Sequence, residues 1–275
     1  MLNYKIISID LDGTYLDSNM DISLENRLAT KKYADMGGFC VPNSGRAYGE
    51  MPQELKEVDG IRYFICSNGA DIYDKQTGER IFLGLDRQKT ATVVDIITHY
   101  QTFIMAHWKG NAYVDEKLFD QNSMDFYNVN EYFKKHISKN AVSKSNFKEF
   151  LLGLDSSEMY TVFFHDNQDL ERCANKLKQA GLCVASTAES NIEIFLPTTG
   201  KGNALIRLAQ ELGVDIKQTI AVGDSDNDIP MLQVAGLSLA TANANQTVKQ
   251  ITHKTICSND QHVMQDIINN IIKNY

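Results

Sequence analysis

The sequence predicts an α/β protein: a parallel-sheet core interrupted by an inserted α+β domain. Three observations carry this expectation. The run Tyr4 to Ile9 is apolar, rich in β-branched residues and ends at Asp10-Leu11-Asp12-Gly13, as suits a strand buried on both faces of a parallel sheet. A strand–helix rhythm runs up to about residue 84 and resumes after Pro197. Between them the pattern changes, and one domain interrupted by another is more economical than two in succession.

Ser23 to Met36 reads as a helix with Leu24, Leu28 and Ala34 on one face, stopped by Gly37-Gly38 before a strand at Phe39 to Val41. A third strand, Tyr63 to Cys66, runs into Ser67-Asn68-Gly69-Ala70, and Ile72-Tyr73 with Arg80 to Leu83 reads as a hairpin around Thr77-Gly78. The inserted stretch opens with a helix at Lys89 to Tyr100 and two strands around Lys109-Gly110-Asn111. A polar, poorly periodic segment follows to about Lys148, then a strand at Met159 to His165, an amphipathic helix carrying Leu170, Cys173, Ala174 and Leu177, and strands at Leu182 to Ala185 and Ile192 to Leu196. The last stretch adds a helix at Asn203 to Leu212, a strand at Thr219 to Val222, a helix from about Ile229 and a strand at Leu237 to Ala240. The core is accordingly assigned to 1–84 and 191–275 and the inserted domain to 85–190. No internal repeat or low-complexity tract is found.

With 275 residues, 43% hydrophobic and 23% charged, the chain has material for a sizeable core, and 4 Pro and 17 Gly argue against long linkers. No apolar run approaches the roughly 18 to 20 residues that cross a bilayer, and Met1-Leu2-Asn3-Tyr4-Lys5 leads into a strand rather than a signal peptide, so a cytoplasmic protein is expected. Cys40, Cys66, Cys173, Cys183 and Cys257 show no C-x-x-C pair and read as small core residues. A net charge of −8 without a dense basic stripe excludes a nucleic-acid surface, and Lys134-Lys135-His136 reads as a solvated helix face.

Four segments carry the chemistry, each beyond a core strand or at the following helix start, where open α/β sheets place ligands. Asp10 and Asp12 are two apart, and Gly13 lets the backbone turn and aim both carboxylates around one point, which favours a hard cation such as Mg2+; Asp-Gly is also common turn chemistry. In Gly223-Asp224-Ser225-Asp226-Asn227-Asp228 the acidic groups exceed the single residue that N-capping needs, and the excess points to metal. Ser44-Gly45-Arg46 offers a hydroxyl, backbone amides and a guanidinium suited to phosphate oxygens, or a plain turn. Lys201, between Gly200 and Gly202, either offsets phosphate charge or lies exposed at a helix start.

In this order, Asp10-Leu11-Asp12-Gly13-Thr14, Ser44-Gly45-Arg46, Lys201 and Gly223-Asp224-x-x-Asn227-Asp228 resemble the four motifs of the haloacid dehalogenase superfamily, specifically the Cof-type phosphatases of subclass IIB. Asn68-Gly69-Ala70, Ala242-Asn243-Ala244 and the inserted domain extend the resemblance over nearly the whole chain. It implies a Rossmann-like core with a large cap over the active site, and a Mg2+-dependent phosphatase of small phosphorylated metabolites, sugar phosphates among them. Position by position, the resemblance makes Asp10 the nucleophile that forms an aspartyl-phosphate and Asp12 the general acid and base. It gives Mg2+ to Asp10, the Asp12 main-chain carbonyl and Asp224, with Asp228 a direct or outer partner, and the phosphoryl group to Ser44, Gly45, Lys201 and Asn227. Arg46 is expected to face the cap or substrate.

Tyr15 stands where the family has an aliphatic residue, Pro42-Asn43 where it has small ones, and Gln261-His262 where it has an acidic residue and Gly; pocket-wall roles are expected for the first two, and a place near the cleft, at the surface or at a helix cap for His262. His99 and His107 lack the spacing of a helical metal pair, and Trp108, Tyr113, Phe119, Phe126 and Tyr127 read mainly as cap core. A phosphosugar mutase returning the phosphate to a sugar hydroxyl is the rival enzyme reading. A non-catalytic phospho-accepting module is a further rival, disfavoured by the insertion. The sequence does not specify an oligomeric state.

Overall fold

The computed structural model describes residues 2–186 and 189–272. Two compact units divide the chain: Met1–Arg46, Met51–Ile81 and Gly200–Tyr275 in the first, Ala47–Glu50 and Phe82–Thr199 in the second. In chain order the strands among the described residues are β1 (Ile6–Ile9), β2 (Phe39–Pro42), β3 (Tyr63–Cys66), β4 (Asp71–Asp74), β5 (Arg80–Phe82), β6 (Thr102–Trp108), β7 (Asn111–Asp115), β8 (Val142–Lys144), β9 (Met159–Phe164), β10 (Cys183–Ala185), β11 (Asn191–Phe195), β12 (Thr219–Gly223), β13 (Leu237–Ala240) and β14 (Lys254–Thr255).

The first unit is built on a parallel sheet of order β14-β13-β12-β1-β2, and β3, β4 and β5 form a smaller sheet joined to β2 by a bridge between Asn43 and Ile65. Ile6, Ile7, Ile9, Val41, Ile220 and Val222 are fully buried, the outcome expected for strands covered on both faces. The chain leaves β1 toward β2 on one side and reaches β12 on the other, so the carboxyl ends of β1 and β12 flank the switch point where such sheets open a crevice.

The helix Leu24–Asp35 starts where expected, with the Ser23 hydroxyl accepting from the Asn26 amide, but its inner face is not the one its leucines suggest. Leu24 and Leu28 are exposed, whereas Asn26, Ala29, Thr30 and Tyr33 are buried. Hydrogen bonds decide this: Asn26 Oδ1 accepts from the Met264 amide at 2.9 Å, and the Thr30 and Tyr15 hydroxyls meet at 2.8 Å.

The second unit carries a six-stranded sheet, β10-β11-β9-β6-β7-β8. Alternation along β6 sends Ile104 and Ala106 to one apolar cluster, with Tyr160 and Val162, and Phe103 and Met105 to the other, with Phe163 and Ile137. The stretch read as unpatterned holds the helices Gln121–Phe126 and Glu131–Asn140, N-capped by Asp120 and Asn130. The compact units part at 81/82 and 199/200, with 47–50 joining the second unit, within which β11 pairs with β9 and Gly49 N donates to Gly110 O at 2.6 Å. Cys40, Cys66 and Cys173 are buried, Cys183 and Cys257 half-buried, and none of the five is joined in a disulfide. No helix of the described residues is long and apolar enough to cross a membrane.

Candidate active site

At the carboxyl end of β1 the chain closes a wide turn, with Tyr15 N donating to Asp10 O at 3.1 Å and Leu16 N to Leu11 O at 2.9 Å. Gly13 sits at φ +79°, and a Cβ there would stand 2.8 Å from Asp224 Oδ2, so the turn needs both glycine's backbone freedom and its small volume. Thr14 Oγ1 donates to Asp224 Oδ1 at 3.0 Å. Beyond β12, Asp228 Oδ2 accepts from the amides of Asp224 and Ser225 at 2.9 and 3.1 Å, turning the carboxylate back toward the sheet.

Lys201 opens the helix Lys201–Glu211 and is not exposed. Its Nζ lies 2.5 Å from Asp10 Oδ1 and 2.7 Å from Asp228 Oδ1, joining the first, third and fourth segments at one point. Carboxylate oxygens of Asp10, Asp224 and Asp228 lie within 4.8 Å of one another. Burial, then the charge of Asp228, push the Asp10 carboxyl well above its ordinary range, although Lys201 pulls it down. Burial followed by Asp228 lifts Asp224 to about 6. Burial alone would depress the Lys201 ammonium, yet Asp10 and Asp228 outweigh it and hold the amine above its ordinary value. Three carboxyl side chains face one ammonium and gather hard oxygen donors around one point, a set that fits a divalent cation such as Mg2+.

Asp12 turns elsewhere. Arg46 grips its carboxylate with a two-pronged fork, Nε to Oδ2 at 3.0 Å and an Nη to Oδ1 at 2.6 Å, so the guanidinium expected to face the cap or substrate holds Asp12. Ser44 is buried and its Oγ accepts from the Arg46 amide at 3.2 Å, while Gly45 lies between them, half-buried. Asn227 is exposed, its Oδ1 accepting from Ser225 Oγ at 2.7 Å.

Three residues make contacts that the sequence did not assign. Thr14 aims Asp224; Asn43, read as pocket wall, is fully buried and donates to Ser8 Oγ at 3.0 Å and Lys201 O at 3.1 Å; and Asn243 Nδ2 donates to Gly13 O at 2.8 Å. The signal for all three was a polar residue next to a strand end. Tyr15, the other expected wall residue, is instead core, bonded to Thr30. His262 precedes the helix Val263–Ile267 and meets Ser23 Oγ at 3.1 Å, beside the start of Leu24–Asp35.

Residues 7–268 match the family model of the haloacid dehalogenase-like hydrolases. Phosphatase YwpJ of Bacillus subtilis is 28% identical over 98% of this chain and 100% of its own length. The 5-amino-6-(5-phospho-D-ribitylamino)uracil phosphatase YwtE of the same organism is 28% identical over 98% of each chain. The solved structure of a sugar phosphatase of subclass IIB shares the fold at a TM-score of 0.77, with 16% identity over 96% of this chain and 97% of the other. With its motifs gathered at the switch point and nearly its whole length matched, the chain belongs to the haloacid dehalogenase-like hydrolases and is an enzyme of the phosphatase kind.

Proposed function

We propose that the enzyme is a Mg2+-dependent phosphatase of small phosphorylated metabolites, sugar phosphates among them, working through a covalent intermediate on Asp10. The convergence of Asp10, Lys201, Asp224 and Asp228 carries this reading. Asp10 attacks phosphorus and the ester oxygen leaves, taking a proton from Asp12; Asp12 then takes a proton from water, which attacks the same phosphorus and frees Asp10 and phosphate. Lys201 restrains and neutralises Asp10, and Ser44, Gly45 and Asn227 hold the transferring oxygens. Arg46 orients Asp12. Asp10, Asp224, the Asp12 main-chain carbonyl and Asp228, directly or as an outer partner, are the residues that would hold Mg2+, which supplies charge neutralisation at the phosphoryl oxygens. The inserted domain, drawn from the second unit, is the proposed specificity cap. Five cysteines outside any disulfide support a cytoplasmic site of action.

The test is phosphate release from a panel of phosphate monoesters, with and without Mg2+. Phosphorylated polyols belong in it, because YwtE is a phosphatase of a phosphoribitylamino compound. Metal-dependent multiple turnover is expected, reduced at least about a thousandfold in Asp10→Asn. Wild-type turnover in that variant overturns the assignment.

A further inference from the structure

Beyond β3, residues Ser67, Asn68 and Gly69 follow one another in left-handed backbone, with φ of 50°, 51° and 90°. Glycine adopts this region freely and asparagine tolerates it, but serine has no such preference, so the turn is imposed by what surrounds it. Those surroundings belong to the active site. Ser67 N donates to Arg46 O at 2.9 Å and Asn68 N to Ser44 O at 3.0 Å, so both ends of Ser44-Gly45-Arg46 hang from this one turn. Asn68 is buried, and its carboxamide lies over Gly45: a Cβ at position 45 would stand 3.2 Å from Oδ1 and 3.4 Å from Nδ2. On the other side Gly69 abuts Gly200, whose carbonyl oxygen would lie 2.4 Å from a Cβ at position 69, one residue before Lys201. The turn therefore touches two of the segments that face the phosphoryl group.

We propose that Asn68 is a positioning residue for the phosphoryl site: its carboxamide fixes the Gly45 backbone and, through it, the Ser44 hydroxyl and the Arg46 guanidinium. This rests on the phosphatase reading above. A turn needed only for its two backbone donors would lose nothing with glycine at 68, since glycine keeps the amide and accepts the same φ.

The experiment compares wild type, Asn68→Gly and Asn68→Asp with Mg2+ present, reading inorganic phosphate affinity by calorimetry, the thermal midpoint, and kcat and KM on the best ester. In Asn68→Gly the midpoint holds, the phosphate dissociation constant rises at least about fivefold and kcat falls at least about tenfold. Asn68→Asp keeps the shape but sets a negative charge beside the anion, and binds phosphate more weakly still. Wild-type phosphate affinity and kcat in either folded variant overturn the proposal, as do losses that only track a falling midpoint. Phosphate binding needs no turnover, so a wild type that binds phosphate but hydrolyses no ester defeats the phosphatase reading alone and leaves Asn68 judged on affinity. A wild type that binds no phosphate defeats both.

Discussion

A buried ammonium is costly unless it is paired, and Lys201 is paired twice, with Asp10 and Asp228. The same contacts that would position the proposed nucleophile thus hold buried charges together at the centre of the first unit. Lys201→Met removes the counter-charge and leaves the carboxylates buried, a change of the kind that costs about 3 to 5 kcal/mol. The loss depends on pH with a definite sign. Burial and then Asp228 already raise Asp10, and without Lys201 it rises further. A carboxyl whose folded value exceeds its unfolded one stabilises below the unfolded value, and that stability is lost as pH rises through the folded value. Denaturant unfolding of metal-free Lys201→Met is therefore expected to show its largest deficit near about pH 8 and a smaller one near about pH 5. An equal deficit at both would mean that the carboxylates do not feel the missing charge.

Among the elements, the short segment 47–50 was not legible in the sequence, and it is anchored through a buried carboxyl. Glu50 is buried, takes the Ala47 amide at 2.7 Å, and lies 2.8 Å from His136 Nε2 and 3.5 Å from His107 Nε2. Burial would raise its carboxyl, but His107 and His136 together bring it down to about 2. A depressed carboxyl contributes stability above its unfolded value of 4.5 and loses it as pH falls toward the folded value, which amounts to about 3 kcal/mol. Wild type is expected to exceed Glu50→Gln by about that amount near about pH 5.5, with the gap narrowing toward about pH 3; parallel acid-unfolding curves would refute it. Nothing in Tyr48-Gly49-Glu50 announces this, because its partners lie far along the chain on β6 and the helix Glu131–Asn140. The core strands were legible, since a strand buried on both faces shows as a short, mostly apolar run without polar alternation, as Ile6–Ile9 and Thr219–Gly223 do. The inner face of Leu24–Asp35 was not, because hydrogen bonds of Asn26 and Thr30, rather than apolar area, select it. In the site, motif order located Asp10, Lys201, Asp224 and Asp228 together, but the fork of Arg46 on Asp12 depends on rotamers that spacing does not encode.

At the scale of the whole chain, the inserted stretch begins and ends at one place: Thr199 Oγ1 donates to Leu83 O at 2.9 Å. An insertion whose ends already meet adds little loop-closure entropy to its host. It also has its own interior, with apolar clusters on both faces of its sheet. A fragment of residues 82–199 is therefore expected to fold alone, with one cooperative thermal transition in circular dichroism. It lacks Glu50, so the acid sensitivity described for the full chain should be missing from it. A fragment of 85–190 tests the boundary itself, since it removes β11, the strand between β9 and β10, and leaves Ile192 and Ile194 out of the larger cluster. Deleting a central strand exposes the edge of β9 and the apolar face beneath it, and this shorter fragment should melt without cooperativity or aggregate. Equal cooperativity in the two fragments would mean that β11 is dispensable to the second unit, and a broad melt of 82–199 would mean that the module depends on the rest of the chain to fold.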